Sequence, residues 1–348
     1  MILRKISLHN FRNFSDKSLE VDSRLTIIIG ENSRGKTNIL EAIHFLLEGR
    51  GFREEKEEEL LSFKKSEMYV EGIVADSDRQ GSHLKIFGSQ AENGFKKIFY
   101  VDKLQKSHRY YVDGLPAVVI FTPEDLVIIN GSPSDRRQYF NKVISASDII
   151  YRKKLINYES ALRKRNKIIE KNRLTQNIEG ELDFWNSYLE EQATYLTKKR
   201  QEYVDFVNND RKLDSREFSI VYEKNVFTLK RAQESLEREL IVKKTLIGPQ
   251  KDDFQIYVSD KKLEKNLHRF GSRSEERLGV FWLKLNELKF HESSGTKPIL
   301  LLDDIFSELD NLNKKLILTL IGRYQTLATT TEEEVVKEIA GEKTIIRI

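Results

Sequence analysis

The chain has 348 residues, 33% of them charged and 39% hydrophobic, with a net charge of +4. Those proportions fit a globular protein of two domains, or one large domain with an insertion, and no apolar run approaches the length of a membrane helix. The absence of cysteine excludes disulfides and thiolate zinc sites, the six histidines include no His-x-x-x-His pair, and the N-terminus lacks the continuous apolar core of a secretory signal.

Met1–Arg12 alternates apolar and polar residues as a strand does, and Leu25–Ile29 is a second, wholly apolar strand. Residues 30–37 then read GENSRGKT, the G-x-x-x-x-G-K-[ST] phosphate-binding loop. Behind it, Ile39, Leu40, Ile43, Leu46 and Leu47 give Asn38–Glu48 one apolar helix face, and Gly49 is placed to end that helix. Strand, loop and helix are the context the motif needs. Its glycines let backbone N–H groups close around a polyphosphate, Lys36 reaches the terminal phosphates, and the Thr37 hydroxyl holds magnesium. Glu54–Leu61 reads as a charged loop running into a short helix. Residues 68–120 are predicted to be strand-rich, at Met68–Val74, His83–Phe87, Lys97–Val101 and Tyr110–Val112, with Asp113-Gly114 as a hairpin turn.

At Pro123 the character changes, and the sequence is charged and helical in period to about Ile241. Between Arg136 and Arg173 there are twelve Lys/Arg against three Asp/Glu. Charge runs are commonly a solvated helix face. A cluster this one-sided, with Arg136, Arg137, Arg152, Lys153, Lys154, Arg163, Lys164, Arg165 and Lys167, is also the footprint of a nucleic-acid site. From Thr245 mixed character returns: a GPQKDDF turn, a strand at Gln255–Val258, a helix at Glu275–Leu288 and an apolar strand at Ile299–Leu302.

That last strand opens the segment ILLLDDIFSELD and delivers two carboxylates to its C-terminal end. Asp303 is expected to bind magnesium, and Asp304 stands where a general base or water-orienting group is needed. Lys36 and Asp303 lie 267 residues apart. The simplest reconciliation is a discontinuous head, residues 1–122 plus 244–348, with a mainly helical insertion over 123–243. Two antiparallel helices within ~120 residues reach only ~80–90 Å, which excludes the very long arms of chromosome-organising ATPases. About thirty residues before the carboxylates, Ser272-Arg273-Ser274-Glu275 opens a helix whose buried face is Leu278, Phe281, Trp282, Leu285 and Leu288. The segment reads as a capping box, and equally as a helix N-terminus offered to a phosphate; both can hold at once.

Taken together, ISLHNFRNF, GKTNILEAIHFLLEGRGFR, IFTPEDLVIINGSPSDRRQYFN, NYESALRKRNKII, GPQKDDF and LLLDDIFSELD resemble the RecF family, bacterial recombination-mediator ATPases related to SMC and Rad proteins. The resemblance implies an α/β, ABC-type P-loop head of mixed sheets and flanking helices, in which two subunits sandwich two ATP molecules with Mg2+. It implies that Arg12, Asn13, Gly30, Glu31, Asn32, Ser33, Arg34, Gly35, Lys36, Thr37 and Asn38 surround the nucleotide. Thr37 and Asp303 would hold the metal, Asp304 and Lys36 would be the catalytic groups, and Ser272, Arg273 and Ser274 would act in trans. Asp310 would cross the dimer interface. It also implies duplex DNA and single/double-strand junctions as ligands, RecR and RecO as partners, no membrane, and a cytoplasmic, nucleoid-associated protein. Three positions depart from the family pattern: Ser274 stands where the signature has glycine, Gln250 where the GP-x-x-DD turn has histidine, and the Thr329–Thr331 turn lacks its usual following aspartate.

Two other protein classes make different demands on the sequence. A transporter's nucleotide-binding subunit predicts an intact Ser-Gly-Gly signature and closer nucleotide motifs. A nuclease of the overcoming-lysogenization type predicts a second acidic cluster, which this sequence does not show.

Overall fold

The computed structural model describes residues 1–53, 56–75, 81–92, 94–171, 178–213, 215–260, 263–305, 318, 320–338 and 342–348. Two compact units emerge. Met1–Pro123 with His291–Ile348 forms one, and Glu124–Phe290 forms the other.

In the first unit, β1 (Ile2–Phe11), β2 (Phe14–Glu20), β4 (Glu67–Ala75), β5 (Ser82–Ala91), β6 (Gly94–Val101) and β7 (Leu104–Lys106) make an antiparallel sheet in the order β2-β1-β4-β5-β6-β7. A second sheet, order β15-β3-β14-β13-β8, is parallel throughout. Its strands are β3 (Leu25–Ile29), β8 (Val118–Phe121), β13 (Ile299–Leu302), β14 (Thr326–Thr330) and β15 (Thr344–Arg347). All residues of β3, β8, β13 and β14 are buried, the burial expected of parallel strands covered on both faces, whereas β4 and β5 alternate.

Helix α1 (Lys36–Glu48) joins the two sheets in one hydrophobic cluster. Ile39, Leu40, Ile43, Phe45, Leu46 and Leu47 pack with Leu3, Phe11, Val70 and Ile86 of one sheet and Ile28, Ile120 and Leu301 of the other. Gly49 ends α1 at φ 73°, its N–H returning to the Phe45 carbonyl. No side chain caps the helix start. Burial of its apolar face, at about 1.5–3 kcal/mol per large side chain, therefore holds α1 in place, and its first N–H groups are left to other acceptors.

One predicted strand is a helix. Residues His108–Val112 form α2, because Tyr111 turns into the core and donates its hydroxyl to the Leu46 carbonyl at 2.7 Å. Three residues carry no periodicity that separates strand from helix.

The second unit contains α3 (Val127–Asn130), α4 (Pro133–Ser147), α5 (Ile149–Lys171), α6 (Ile178–Asn208), α7 (Leu229–Val242), α8 (Leu267–Phe270) and the first part of α9 (Arg273–Ser293). At 1.5 Å per residue, α5 and α6 span roughly 35 and 45 Å. The segment predicted to be helical also holds β9 (Lys212–Leu213) and β10 (Arg216–Glu223). These join β11 (Asp253–Asp260) and β12 (Leu263–Asn266) in an antiparallel sheet, order β12-β11-β10-β9. Phe218 and Ile220 alternate into the core, and β10 pairs with β11 from Glu217↔Ser259 to Glu223↔Asp253. That pairing crosses the boundary expected at 243/244, so the second division falls between Phe290 and His291 instead. Within this unit Arg200 and Asp252, both buried, form an ion pair at 2.6 Å that ties α6 to the GPQKDDF turn.

Candidate nucleotide-binding site

Because β3, β14 and β13 run parallel and adjacent, the loop after Ile29 and the carboxylates after Leu302 emerge from the same edge. Ligands of open α/β sheets bind outside the carboxyl ends of the strands. The Thr37 hydroxyl donates to Asp303 Oδ1 at 2.9 Å, and Thr329 on β14 donates to the same oxygen at 2.7 Å. The Asp303 N–H donates to the Phe121 carbonyl at the end of β8.

The loop itself is a concave nest. Ser33 and Gly35 take left-handed φ values, 65° and 103°, an alternation that turns successive N–H groups inward. A Cβ on Gly35 would fall 2.6 Å from the Asn13 amide and 2.8 Å from the Phe14 ring, so only glycine fits. The nearly buried Lys36 ammonium donates to the Gly30 and Glu31 carbonyls at 2.8 and 2.9 Å and stands over the loop. Asn13 donates to the Arg34 carbonyl and accepts from Asn38. Arg34 and Glu31 pair across the exposed rim at 3.0 Å, where Asn32 is also exposed. Uncapped helix start, inward N–H groups, ammonium, hydroxyl and carboxylate together fit a nucleoside polyphosphate with a divalent cation.

Arg12 is engaged by α1 and the segment before β4. Its guanidinium is bidentate on Glu41 of α1, at 2.7 and 2.9 Å, and donates to the Glu59 carbonyl. Glu41 is fully buried and also accepts from Arg53, which bonds Asn38. Sequence reasoning passed over Glu41, although a carboxylate on an apolar helix face was a usable signal. It also gave Thr329 no role. Asp310 lies outside the described residues.

In the second unit, Ser272–Glu275 forms a full capping box at the start of α9. The Ser272 N–H and hydroxyl donate to Glu275 Oε2, and the Glu275 N–H donates back to Ser272 Oγ at 3.3 Å. Burial works against the charge of Glu275, but the Ser272 N–H, the Lys265 ammonium and the Ser272 hydroxyl outweigh it and hold the carboxyl at about 2. Arg273 and Ser274 are exposed.

The basic cluster divides. Arg136 is buried in a bidentate pair with Asp253, and Arg165 is fully buried against Glu239 and Thr245. Neither offers its charge to a surface ligand, which corrects the sequence reading: both sit on the buried faces of α4 and α5. Arg137 and Arg152 bond the Asp252 and Ser145 carbonyls, and Lys154 pairs with Glu191. Lys153, Arg163, Lys164 and Lys167 are exposed along α5, with Lys164 over the Trp185 ring.

This fold and site define an SMC-type ATPase head: residues 2–123 match the RecF/RecN/SMC N terminal domain. The DNA replication and repair protein RecF of Natranaerobius thermophilus is 32% identical over 96% of this chain and 92% of its own length. A solved structure of the recombination mediator protein RecF-ATPrS in the RecFOR pathway superimposes with a TM-score of 0.88 at 30% identity, covering 100% of this chain and 96% of that one. The corresponding RecF-ATP structure gives 0.86 at 31% identity, covering 95% and 92%. The chain belongs to the RecF family.

Proposed function

We propose that this protein is an ATP-dependent DNA-binding ATPase that dimerises on ATP, clamps duplex DNA or a single/double-strand junction, and assists recombinase loading at gaps. The observation that carries the reading is the apposition of Thr37 and Asp303, a phosphate-loop hydroxyl and a strand-end carboxylate at 2.9 Å. ATP with Mg2+ is the ligand whose charge and donor set match that pair. Relatives solved as RecF-ATP support the nucleotide, and their place in the RecFOR pathway supports RecR and RecO as partners. The reading places the protein on the nucleoid in a bacterial cytoplasm.

Each residue has a defined task. The loop N–H groups and Lys36 bind and orient the phosphates, while Asn13 and Asn38 hold the loop backbone in shape. Thr37 and Asp303 would hold the magnesium, which when bound supplies charge neutralisation at the phosphates. Asp304 orients and polarises the attacking water. Ser272, Arg273 and Ser274 contact the partner subunit's nucleotide, and Asp310 crosses the dimer interface. Serine in place of glycine at 274 keeps a Cβ at that approach, so turnover is slow.

Light scattering with and without ATP and duplex DNA tests the reading. A mass that doubles with ATP and rises further with DNA is expected. A monomer under every condition refutes it.

A further inference from the structure

The threonine-rich turn at the end of β14 has no part in the scheme above, yet one of its side chains bonds both carboxylate residues. Thr329 is fully buried. Its Oγ1 donates to Asp303 Oδ1 at 2.7 Å and accepts the Asp304 backbone N–H at 2.9 Å. A hydroxyl carries one proton. The carboxylate takes that proton at short range, and the Leu302 carbonyl at 3.5 Å is a weak competitor. The roles at the two ends are therefore set: donor to Asp303, acceptor from Asp304.

Both ends bear on the chemistry. Asp304 has φ 48°, a left-handed conformation that aspartate tolerates better than most residues with a Cβ but that still needs holding. The bond from its N–H to a side chain on the adjacent strand helps to keep it there. Asp303 Oδ1 receives two hydroxyls, from Thr37 and Thr329. Thr37 belongs to the phosphate loop and is assigned to the metal, whereas Thr329 belongs to a buried strand of the parallel sheet.

We infer that Thr329 is a positioning residue for hydrolysis: its hydroxyl aims the Asp303 carboxylate at the metal position and holds the Asp304 backbone in its left-handed turn. The inference rests on the assignment of Asp303 and Asp304 made above. Groups that orient metal ligands typically change metal affinity or activity by about 10–100-fold when removed.

The test uses the full chain with Thr329→Val, Thr329→Ser and Asp303→Asn, reading ATP affinity in EDTA, the Mg2+ concentration for half-maximal hydrolysis, and kcat. Thr329→Val is expected to keep metal-free ATP affinity within about twofold, to raise the Mg2+ requirement about tenfold and to lower kcat by at least as much. Thr329→Ser should restore both. If valine prevents folding, Thr329→Cys, with its weaker donor, must show the same Mg2+ shift. Parental Mg2+ dependence in the valine or cysteine variant overturns the inference. So does an equal loss of metal-free ATP affinity in the valine and serine variants, which marks a purely structural role. An Asp303→Asn protein with unchanged Mg2+ dependence overturns the site assignment itself, whatever Thr329 does.

Discussion

The Thr37 hydroxyl meets Asp303 Oδ1 at 2.9 Å across 266 residues of sequence. Helix α1 supplies one and β13 leads into the other, and they meet because β3 and β13 flank β14 in one parallel sheet. Variants on either side of this contact are suited to separating phosphate binding from hydrolysis.

On the loop side, Lys36→Ala removes the ammonium that stands over the nest. ATP affinity is expected to fall by roughly 3 kcal/mol, about a hundredfold, the worth of one or two charge-assisted hydrogen bonds. Titration calorimetry measures it, and unchanged affinity would remove the lysine from the site.

On the carboxylate side, Asp304→Asn keeps the shape of the side chain and removes the carboxylate proposed to polarise the attacking water. ATP binding should persist while turnover drops at least about a hundredfold, leaving a long-lived ATP-bound dimer on DNA. Single-turnover hydrolysis at the parental rate would exclude Asp304 as the catalytic group.

For DNA, contact with about four to six phosphates gives a slope of about −4 to −5 in log affinity against log salt. Arg163→Ala and Lys167→Ala should each flatten that slope with little effect on stability, since both side chains are exposed. Arg165→Ala should instead destabilise the fold by roughly 3–5 kcal/mol, because it leaves Glu239 buried and unpaired. Salt titrations of DNA binding beside urea unfolding separate the two classes; an exposed-site variant with the parental slope would take that residue out of the DNA surface.

Glu275 gives the capping box a pH signature. Its carboxyl is held at about 2 in the folded protein against an ordinary 4.5. A depressed folded value means that its contribution is fully present above the unfolded value and is lost as pH falls through the folded one. The stability difference between the parent and Glu275→Gln should thus be constant above about pH 5 and shrink toward pH 2. A difference that grows with acid would contradict the ion pair with Lys265.

The two exposed signature positions should act in opposite directions. Ser274→Gly removes a Cβ and is expected to tighten ATP-driven dimerisation, whereas Arg273→Glu is expected to weaken it, since in the proposed dimer it would set a carboxylate against the partner's triphosphate. Sedimentation with ATP reads both. No change in either would reduce Ser272–Glu275 to a capped helix start.

Much of the site was legible in the sequence because its chemistry is local. A phosphate loop needs its glycines, lysine and threonine within eight residues, between a buried strand and a helix, and the structure places GENSRGKT in that setting. A buried parallel strand announces itself as an unbroken apolar run, as at Leu25–Ile29 and Ile299–Leu302. A capping box is complete within four residues, so Ser272 and Glu275 could be paired on sight.

Tertiary structure alone decided which charges are free. Arg163 and Arg165 stand two positions apart on α5, and only packing against α7 turns one into a buried partner of Glu239 while the other stays in solvent. The same holds for Tyr111, whose hydroxyl reaches the Leu46 carbonyl from a helix where a strand was expected. It holds for β10 as well, which took its partner strand from beyond the expected boundary. Thr329 is the sharpest case: one threonine among three in a row, singled out because parallel pairing sets β14 beside β13 and brings its hydroxyl to Asp303. Burial and long-range hydrogen bonding depend on what the rest of the chain brings to a residue, and no spacing within the sequence records that.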